Sequence, residues 1–505
     1  MPWLEWNDRS KDLKATAKTP YRLLQPVQSL SYGDENSPNM LIQGDNLEAL
    51  KALLPYYAGQ VKCIFIDPPY NTKSAFEHYD DNLEHAKWLS MMYPRMVLLR
   101  ELLAEDGSIW VTLDDNEAHY FKVMCDEVFG RTNFMANIVW QSKDTPGNNA
   151  TGIAETHNHL LGYRKSPVFT PNLLARDEKQ RAYYSNPDKD KRGDWLAAPL
   201  TRAEHRDRDY YALTNPAGRE VWPPKGSSWR RPPEKLQQLL ADNRVWWGKS
   251  GDGEFPMEKK FLKEAKAGIV NKTWWPYEFA GSTRNASAEL KALFDGRKVF
   301  DTPKPEKLIY RVLEMTTGEG DIVLDTFLGS GTTSAVAHKM ERRWIGVEVG
   351  EHTQDIALPR MRKVVDGEQG GVSVLAEWDR GGGFHFYKLG PKVFDDQGRI
   401  NPDIKFEHLA AHVWFAETGS ARSTRAMKSP LLGVHNGSAY YLLYNGILGD
   451  ETLSGGNMLT LKVLAGLPAH DGPKVIFGAG TNLTKDRLRS LGITFKQTPY
   501  DIRAR

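Results

Sequence analysis

Apolar positions along this chain fall into two blocks of short strands alternating with helical repeats, separated by a long stretch that follows neither period. In the first block Met40-Leu41-Ile42 reads as a strand running into Gly44-Asp45, and the leucines of 46–54 return at helical spacing. Val61-Lys62-Cys63-Ile64-Phe65-Ile66 is a compact, partly β-branched run closed by Asp67-Pro68-Pro69-Tyr70, the pattern of a buried parallel strand that stops abruptly. Leu89, Met92, Met96, Leu99 and Leu103 predict a helix over 83–104, followed by a strand over 107–113 and a helix over 117–129. The second block predicts a helix at 305–315, a strand at 321–324, a glycine-rich turn, a helix at 334–340 and a strand at 344–348. Strand–helix alternation of this kind predicts an α/β fold, a doubly wound, Rossmann-like sheet.

The stretch at 141–300 is rich in Pro, Gly, Trp and charge and predicts a separate inserted lobe between the two halves of the sheet, 39–140 and 301–366. Residues 1–38 lack periodicity and read as an N-terminal arm. A Gly-rich run at 367–392, with Gly381-Gly382-Gly383, reads as a linker to a small C-terminal α/β domain at 393–505, whose strands are expected near 440–444 and 475–477. A chain of 505 residues is too long for one core, in agreement with several domains.

Charge sharpens the reading of the insert. The whole chain carries only +2, but 141–300 holds 28 Lys/Arg against 20 Asp/Glu, and seven of the fifteen tryptophans. A basic, aromatic-rich segment between near-neutral regions is the footprint of a nucleic-acid-binding surface. Arg202, Arg206, Arg208, Arg230, Arg231, Lys259 and Lys260 are its candidate phosphate contacts, each also able to be solvated surface. Trp246-Trp247 and Trp274-Trp275 could stack on bases, although core packing suits most of them. Two cysteines, Cys63 and Cys125, exclude a disulfide framework and fit a reducing, cytoplasmic setting. No apolar run approaches the ~18 residues of a membrane span, and the N-terminus lacks the pattern of a signal peptide. His157-x-His159 has no further clustered ligands in sequence, so no metal is expected.

Two stretches carry the chemistry. A strand ending in Asp67-Pro68-Pro69-Tyr70 delivers a carboxylate, a carbonyl of fixed direction and an aromatic face to the carboxyl edge of the sheet, where open α/β sheets bind ligands. Two acceptors beside a stacking face fit the exocyclic amine of a nucleobase. A simple Asp-Pro-Pro turn is the bland alternative. The second stretch, Asp325-Thr326-Phe327-Leu328-Gly329-Ser330-Gly331-Thr332-Thr333, joins a strand to a helix, with Glu348 at the end of the next strand. This is a nucleoside-binding arrangement. No lysine precedes Thr332, so it is not a P-loop, and Ser334 stands where a dinucleotide fingerprint has its third glycine. An acid leading the loop suits a cationic ligand rather than a pyrophosphate. S-adenosylmethionine, with its adenosine, sulfonium and ammonium, fits.

Together these stretches resemble the catalytic and cofactor motifs of amino-methylating DNA methyltransferases. Their order, catalytic motif first, insert second and cofactor motif third, is the circularly permuted order of the β class. Asp67-Pro68-Pro69-Tyr70-Asn71-Thr72, Phe76-Glu77-His78-Tyr79-Asp80-Asp81, Phe300-Asp301-Thr302-Pro303-Lys304-Pro305 and the closing Phe495–Tyr500 resemble the modification (Mod) subunits of type III restriction–modification systems. Thr326 and Leu328 depart from the usual Pro and Ala of such loops without removing an identifiable contact.

The resemblance implies methyl transfer from S-adenosylmethionine to a flipped-out base of double-stranded DNA, adenine N6 rather than cytosine N4 because Asp67 stands where N4 enzymes usually have Ser. It implies Asp67, Pro68, Pro69 and Tyr70 as the catalytic group. Asp325, Phe327, Gly329, Ser330, Gly331 and Thr332 would hold the methionine part of the cofactor, and Glu348 the ribose. Lys304, with Thr302, would meet the methionine carboxylate. Asp45 is expected at the adenine side or as the cap of the following helix. A homodimer and a nuclease–helicase restriction subunit are the implied partners. A recognition subunit without activity of its own, or an RNA methyltransferase, are the rival readings.

Overall fold

The computed structural model describes residues 3–72, 84–146, 152–176, 181–266, 268–395, 397, 399–422, 428–444, 447 and 456–498. The segment Phe76–Asp81 and the closing Pro499-Tyr500, both quoted above for their resemblance, lie outside the described residues. The chain divides into two compact units, residues 1–172 with 272–505, and residues 173–271.

The first unit is built on one large sheet. The strands along its main path, beside which Tyr32–Gly33 forms a short eleventh strand, are β1 (Arg22–Pro26), β2 (Met40–Gln43), β3 (Val61–Ile66), β4 (Leu103–Leu113), β5 (Phe134–Trp140), β6 (Asn158–Arg164), β7 (Trp274–Trp275), β8 (Ile322–Asp325), β9 (Arg343–Glu348) and β10 (Gly383–Lys392). Their spatial order is β1-β10-β2-β9-β8-β3-β4-β6-β5-β7. The six strands from β10 to β4 run parallel, whereas β1 and β6 pair antiparallel with their neighbours. The central strands are buried throughout most of their length, which explains their near-continuous apolar sequences.

Helices α1 (Asn46–Tyr57), α2 (His85–Leu102), α3 (Ala118–Cys125), α4 (Thr283–Leu293), α5 (Glu306–Thr316), α6 (Thr332–Lys339) and α7 (Leu358–Val365) accompany this sheet. From β3 the chain passes through α2 to β4 on one side. From β8 it passes through α6 to β9 on the other. β3 and β8 are themselves neighbours, pairing Cys63 with Val323 and Ile64 with Leu324. The winding direction therefore reverses between the two strands that carry the two motifs, the topological switch point at which such sheets bind ligands.

The expected doubly wound sheet is present, with more strands than the sequence pattern announced. The stretch read as a linker supplies β10, whose Phe384 and Phe386 are buried at a spacing of two. The expected insert at 141–300 narrows to the second unit, 173–271, because Asn158–Arg164 pairs with β4 and Trp274–Trp275 with β5. The expected arm contributes β1 along β10. The C-terminal region carries α8 (Phe406–Thr418) and a four-stranded sheet containing Ser438–Leu442 and Lys474–Gly478, close to the two expected strands. Both cysteines are buried thiols, and no described helix is long and apolar enough to cross a membrane.

The second unit holds a three-stranded sheet, Val245–Trp246, Met257–Phe261 and Trp195–Pro199, together with a helix at Pro233–Ala241. Trp229 and Trp247 join Leu200, Leu213, Leu236 and Leu239 in its core.

Candidate active site

At the end of β3, two prolines turn the chain out of the sheet and Asp67, Pro68, Pro69 and Tyr70 line a cleft. Directly across the strand pair, Asp325, Phe327, Gly329, Ser330 and Thr332 line the same cleft, as do Thr302 and Lys304. The space within the cleft amounts to about 790 Å³, open solvent included. Two stretches far apart in sequence thus meet in one site.

The Asp67 carboxylate has a partner on each oxygen. Thr112, on the neighbouring β4, donates its hydroxyl to Oδ1 at 2.6 Å, and the Lys304 ammonium donates to Oδ2. Lys304 Nζ also lies 5.0 Å from the centre of the Tyr70 ring. Tyr70 is half-buried with its hydroxyl inside, and burial, reinforced by the Asp67 carboxylate, pushes that hydroxyl well above its ordinary pKa. It stays a neutral phenol offering a ring face. Behind the turn, the Trp88 indole N–H donates to the Pro69 carbonyl at 2.8 Å. Asn71 adopts φ 60° and its buried amide donates to Glu117 at 2.7 Å. A left-handed residue that Asn tolerates better than most ends the turn.

The cofactor-type loop is held more tightly. Asp325 is buried and accepts from the Phe327 N–H at 2.9 Å and the Thr333 hydroxyl at 2.6 Å. Burial pushes its carboxyl up to about 7, against those two hydrogen bonds; the nearby Asp67 and Glu348 carboxylates add to the rise. Gly329 and Gly331 turn the chain at φ 53° and 85°, a region that side-chain-bearing residues avoid. Glu348 is buried at the end of β9, where Oε2 accepts from the Gly329 N–H at 2.7 Å and Oε1 from the Val349 N–H at 2.8 Å. Behind the loop, Arg360 donates to the Thr332 hydroxyl at 2.9 Å and pairs with Glu306 at 2.8 Å; Lys339 pairs with the same Glu306 at 2.8 Å. These two cations hold the Glu306 carboxyl below its ordinary pKa although burial pushes it up. Glu306 opens α5 two residues after Lys304, so this ionic group anchors both the loop and the segment that delivers Lys304.

Other expected site residues fall elsewhere. Asp45 caps α1, accepting from the Leu47 and Glu48 N–H groups at 2.9 and 3.1 Å, and Arg95 reaches it at 3.2 Å. Among the described residues the cleft walls do not include Asp45, Gly331 or Glu348. Asn46, the next residue, does reach the site's edge, donating to the Thr326 carbonyl at 2.7 Å. His159 joins Asp115 and His119 in a group whose potential ligand atoms lie within 4.8 Å of one another. Its Nε2 is 2.7 Å from Asp115, and the hydrogen bond is the main reason that carboxyl sits below its ordinary pKa.

In the second unit, Arg206, Arg208 and Arg230 are exposed. Arg206 pairs with Glu204 at 3.0 Å, and Arg230 donates to the Thr201 carbonyl at 2.8 Å. Arg202 and Arg231 lean on Asp209 and Glu258, at 3.7 and 3.1 Å, and Lys260 also pairs with Glu258. Lys259 corrects the expectation of a phosphate contact: it is only 1 % exposed, enclosed by Asp188 and Asp190, and has no surface to offer a phosphate. Trp247 and Trp275 are buried as well, Trp246 is half-buried against Trp195, and Trp274 is 55 % exposed.

Thr112, Trp88 and Arg360 were not singled out by sequence reasoning. A threonine inside the otherwise apolar end of β4, Ile109–Leu113, was the visible signal for the first; nothing local marked the other two.

The cleft therefore has the form of a nucleoside-type site at a switch point, with a second acceptor-and-ring site opening into it. Residues 61–359 match the family model described as DNA methylase, covering both motifs, and the chain belongs to that family. Among its relatives, the StyLTI Mod subunit of a type III restriction–modification enzyme from Salmonella typhimurium is 32% identical over 60% of this chain and 50% of its own length. The probable HindVI Mod subunit from Haemophilus influenzae is 29% identical over 76% of this chain and 59% of its own, and the EcoPI Mod subunit from Escherichia phage P1 31% over 67% and 61%. The chain thus spans half to about three fifths of the length of these relatives.

Proposed function

We propose that this protein methylates the N6 amino group of adenine in double-stranded DNA, using S-adenosylmethionine, as the modification subunit of a restriction–modification system. The observation that carries the reading is the convergence of Asp67 and Asp325 on one cleft from adjacent strands. The residues present fit the cofactor. Asp325 is a buried acid whose ionised form lacks a cation among its described hydrogen-bond partners, and a ligand ammonium would supply one. Phe327, Gly329, Ser330 and Thr332 would enclose the methionine end beside it, with Lys304 and Thr302 on the opposite wall. When bound, the cofactor supplies an electrophilic methyl group.

The chain's own residues would do the rest by orientation. An adenine extruded from the duplex costs roughly a few kcal/mol of unstacking, and stacking on Tyr70, worth ~1–3 kcal/mol, offsets part of this. Asp67 and the Pro68 carbonyl would accept the two amine hydrogens, aiming the nitrogen lone pair into the cleft and stabilising positive charge developing there. The Trp88 bond to Pro69 keeps the turn, and hence the Pro68 carbonyl, in one direction. On the second unit, Arg206, Arg208 and Arg230 are the proposed phosphate contacts. The likeness to Mod subunits supports a restriction subunit as partner; a homodimer is proposed with it, and the solution mass of the purified chain tests that half.

Methyl transfer from labelled S-adenosylmethionine to unmethylated genomic DNA, followed by digestion to nucleosides, tests the activity. N6-methyladenine from wild type, at least about 10²-fold less from Asp67→Ala, is the expected result. N4-methylcytosine would replace the base assignment, and no transfer with intact DNA binding would replace the activity with a recognition role.

A further inference from the structure

Lys304 is the one cationic side chain among the described residues that line the cleft, and it is spent on Asp67. Its ammonium pairs with Asp67 Oδ2 while Thr112 holds Oδ1, so both oxygens of the acid meant for the substrate amine are engaged. Lys304 is only 10% exposed in its side chain and Asp67 22%, so the pair is screened little by solvent. A zwitterionic methionine end entering this cleft brings an ammonium and a carboxylate together. Asp325 answers the ammonium. Among the described lining residues the carboxylate has one cation to turn to, and that cation is already holding Asp67.

We propose that Lys304 is an exchangeable counter-ion that passes from Asp67 to the cofactor's carboxylate, so that Asp67 can accept the base amine only after the cofactor is seated. The inference rests on the reading of the cleft given above and adds an order of events to it. Before the cofactor binds, an extruded base finds its acceptor neutralised and must displace a buried lysine. After it binds, Lys304 has a second anion, and Asp67 Oδ2 is released toward the amine. Lys304 is accordingly a positioning residue. It acts on the base through Asp67, and it makes cofactor and target base help one another to bind. By linkage each ligand must then strengthen the other by the same factor, typically about 5–150-fold for coupled sites.

The test uses the full-length chain and a duplex containing the site that wild type methylates. Its affinity is measured by fluorescence anisotropy alone, with sinefungin, which carries the ammonium and carboxylate but no transferable methyl group, and with 5′-methylthioadenosine, which lacks both charged groups. Wild type is expected to bind the duplex about tenfold or more tighter with sinefungin, within the range for coupled sites, and to show little change with methylthioadenosine. Lys304→Met is expected to lose that difference, to bind sinefungin more weakly and to bind methylthioadenosine as before; Lys304→Arg should restore part of the coupling. A duplex with purine in place of the target adenine, lacking the amine, should show no coupling in wild type. Full coupling in Lys304→Met, or equal coupling by methylthioadenosine, overturns the proposal. Failure of wild type to bind sinefungin at all instead overturns the cofactor reading beneath it.

Discussion

The two stretches that form the cleft are held in opposite ways. The loop at 325–333 is buried almost entirely: Asp325, Ser330, Thr332 and Thr333 are each under 5% exposed, and Arg360, Glu306 and Lys339 lock it from behind. The turn at 67–71 is half open, with Asp67 fixed by one hydroxyl and one lysine and the peptide chain steadied by Trp88. The first region is a preformed cradle in which Asp325, Thr332 and Thr333 already have hydrogen-bond partners before any ligand arrives. The second keeps its acceptors on partners that a ligand can replace. A cofactor that is exchanged at each turnover but must always seat in one pose suits the cradle, and a base that must be extruded, oriented and released suits the turn.

If that contrast is right, the largest loss of stability should come from behind the cradle. Arg360→Met would leave Glu306 with Lys339 as the remaining one of these two cations, beside the Val372 N–H, and would remove the donor to Thr332. Breaking a buried ion pair from one side costs about 3–5 kcal/mol, read as a fall in the urea midpoint at unchanged slope. A loss under about 1 kcal/mol, the value of an exposed pair, would mean that the loop does not depend on this group and that the two regions differ less than their burial implies.

Asp325 gives a sharper test through pH. Its carboxyl is raised from an ordinary 3.8 to about 7, first by burial. The folded state then holds its proton where the unfolded chain has lost it, so this group's contribution to stability is complete below about pH 3.8 and is lost as pH rises towards 7. Glu289, raised to about 7 by burial and by the nearby Glu306, slopes the same way. The difference between wild type and Asp325→Asn isolates Asp325: the variant should lose part of the decline in stability between pH 4 and 7. Cofactor binding works in the other direction. A ligand cation favours the ionised acid, so S-adenosylmethionine should bind more tightly as pH approaches 7 and release a proton below it, a release calorimetry in buffers of different ionisation heat would detect. A pH-independent affinity would place the ligand's cation away from Asp325.

How much of this was legible in the sequence follows the same division. Strands β3, β8 and β9 announced themselves because strands buried on both faces are continuous apolar runs, and their terminal acids and glycines marked the cleft. β10 was hidden because it opens on the last of three successive glycines and its two buried phenylalanines are separated by His385, a weak signal beside a linker-like composition. Asn158–Arg164 was absorbed into the insert because antiparallel pairing with β4 is a long-range contact with no local mark. The same reason hid the support of the site. Thr112, Arg360 and Trp88 reach it from other strands and helices, and no spacing along the chain encodes which threonine faces which acid. Lys259 failed in the opposite sense, since a Lys-Lys pair looks exposed until Asp188 and Asp190 are folded around one member.

Trp88 supplies the smallest effect and the closest discrimination between the two regions. Its indole is fully buried, packs edge-on against Phe121 at 5.9 Å and donates to the Pro69 carbonyl at 2.8 Å. Trp88→Phe keeps an aromatic ring but removes the donor and leaves a small void, costing roughly 1–2 kcal/mol of stability. Pro69 is only half-buried, so water can take over its carbonyl and the cost should stay near the lower figure. The informative reading is kinetic. With the turn loosened and the cradle untouched, kcat should fall severalfold while the dissociation constant for S-adenosylmethionine stays at the wild-type value. A change in cofactor affinity with kcat preserved would mean that the turn and the cradle move together, and that the half-open geometry of Asp67 is set by the cofactor loop rather than by the helix behind it.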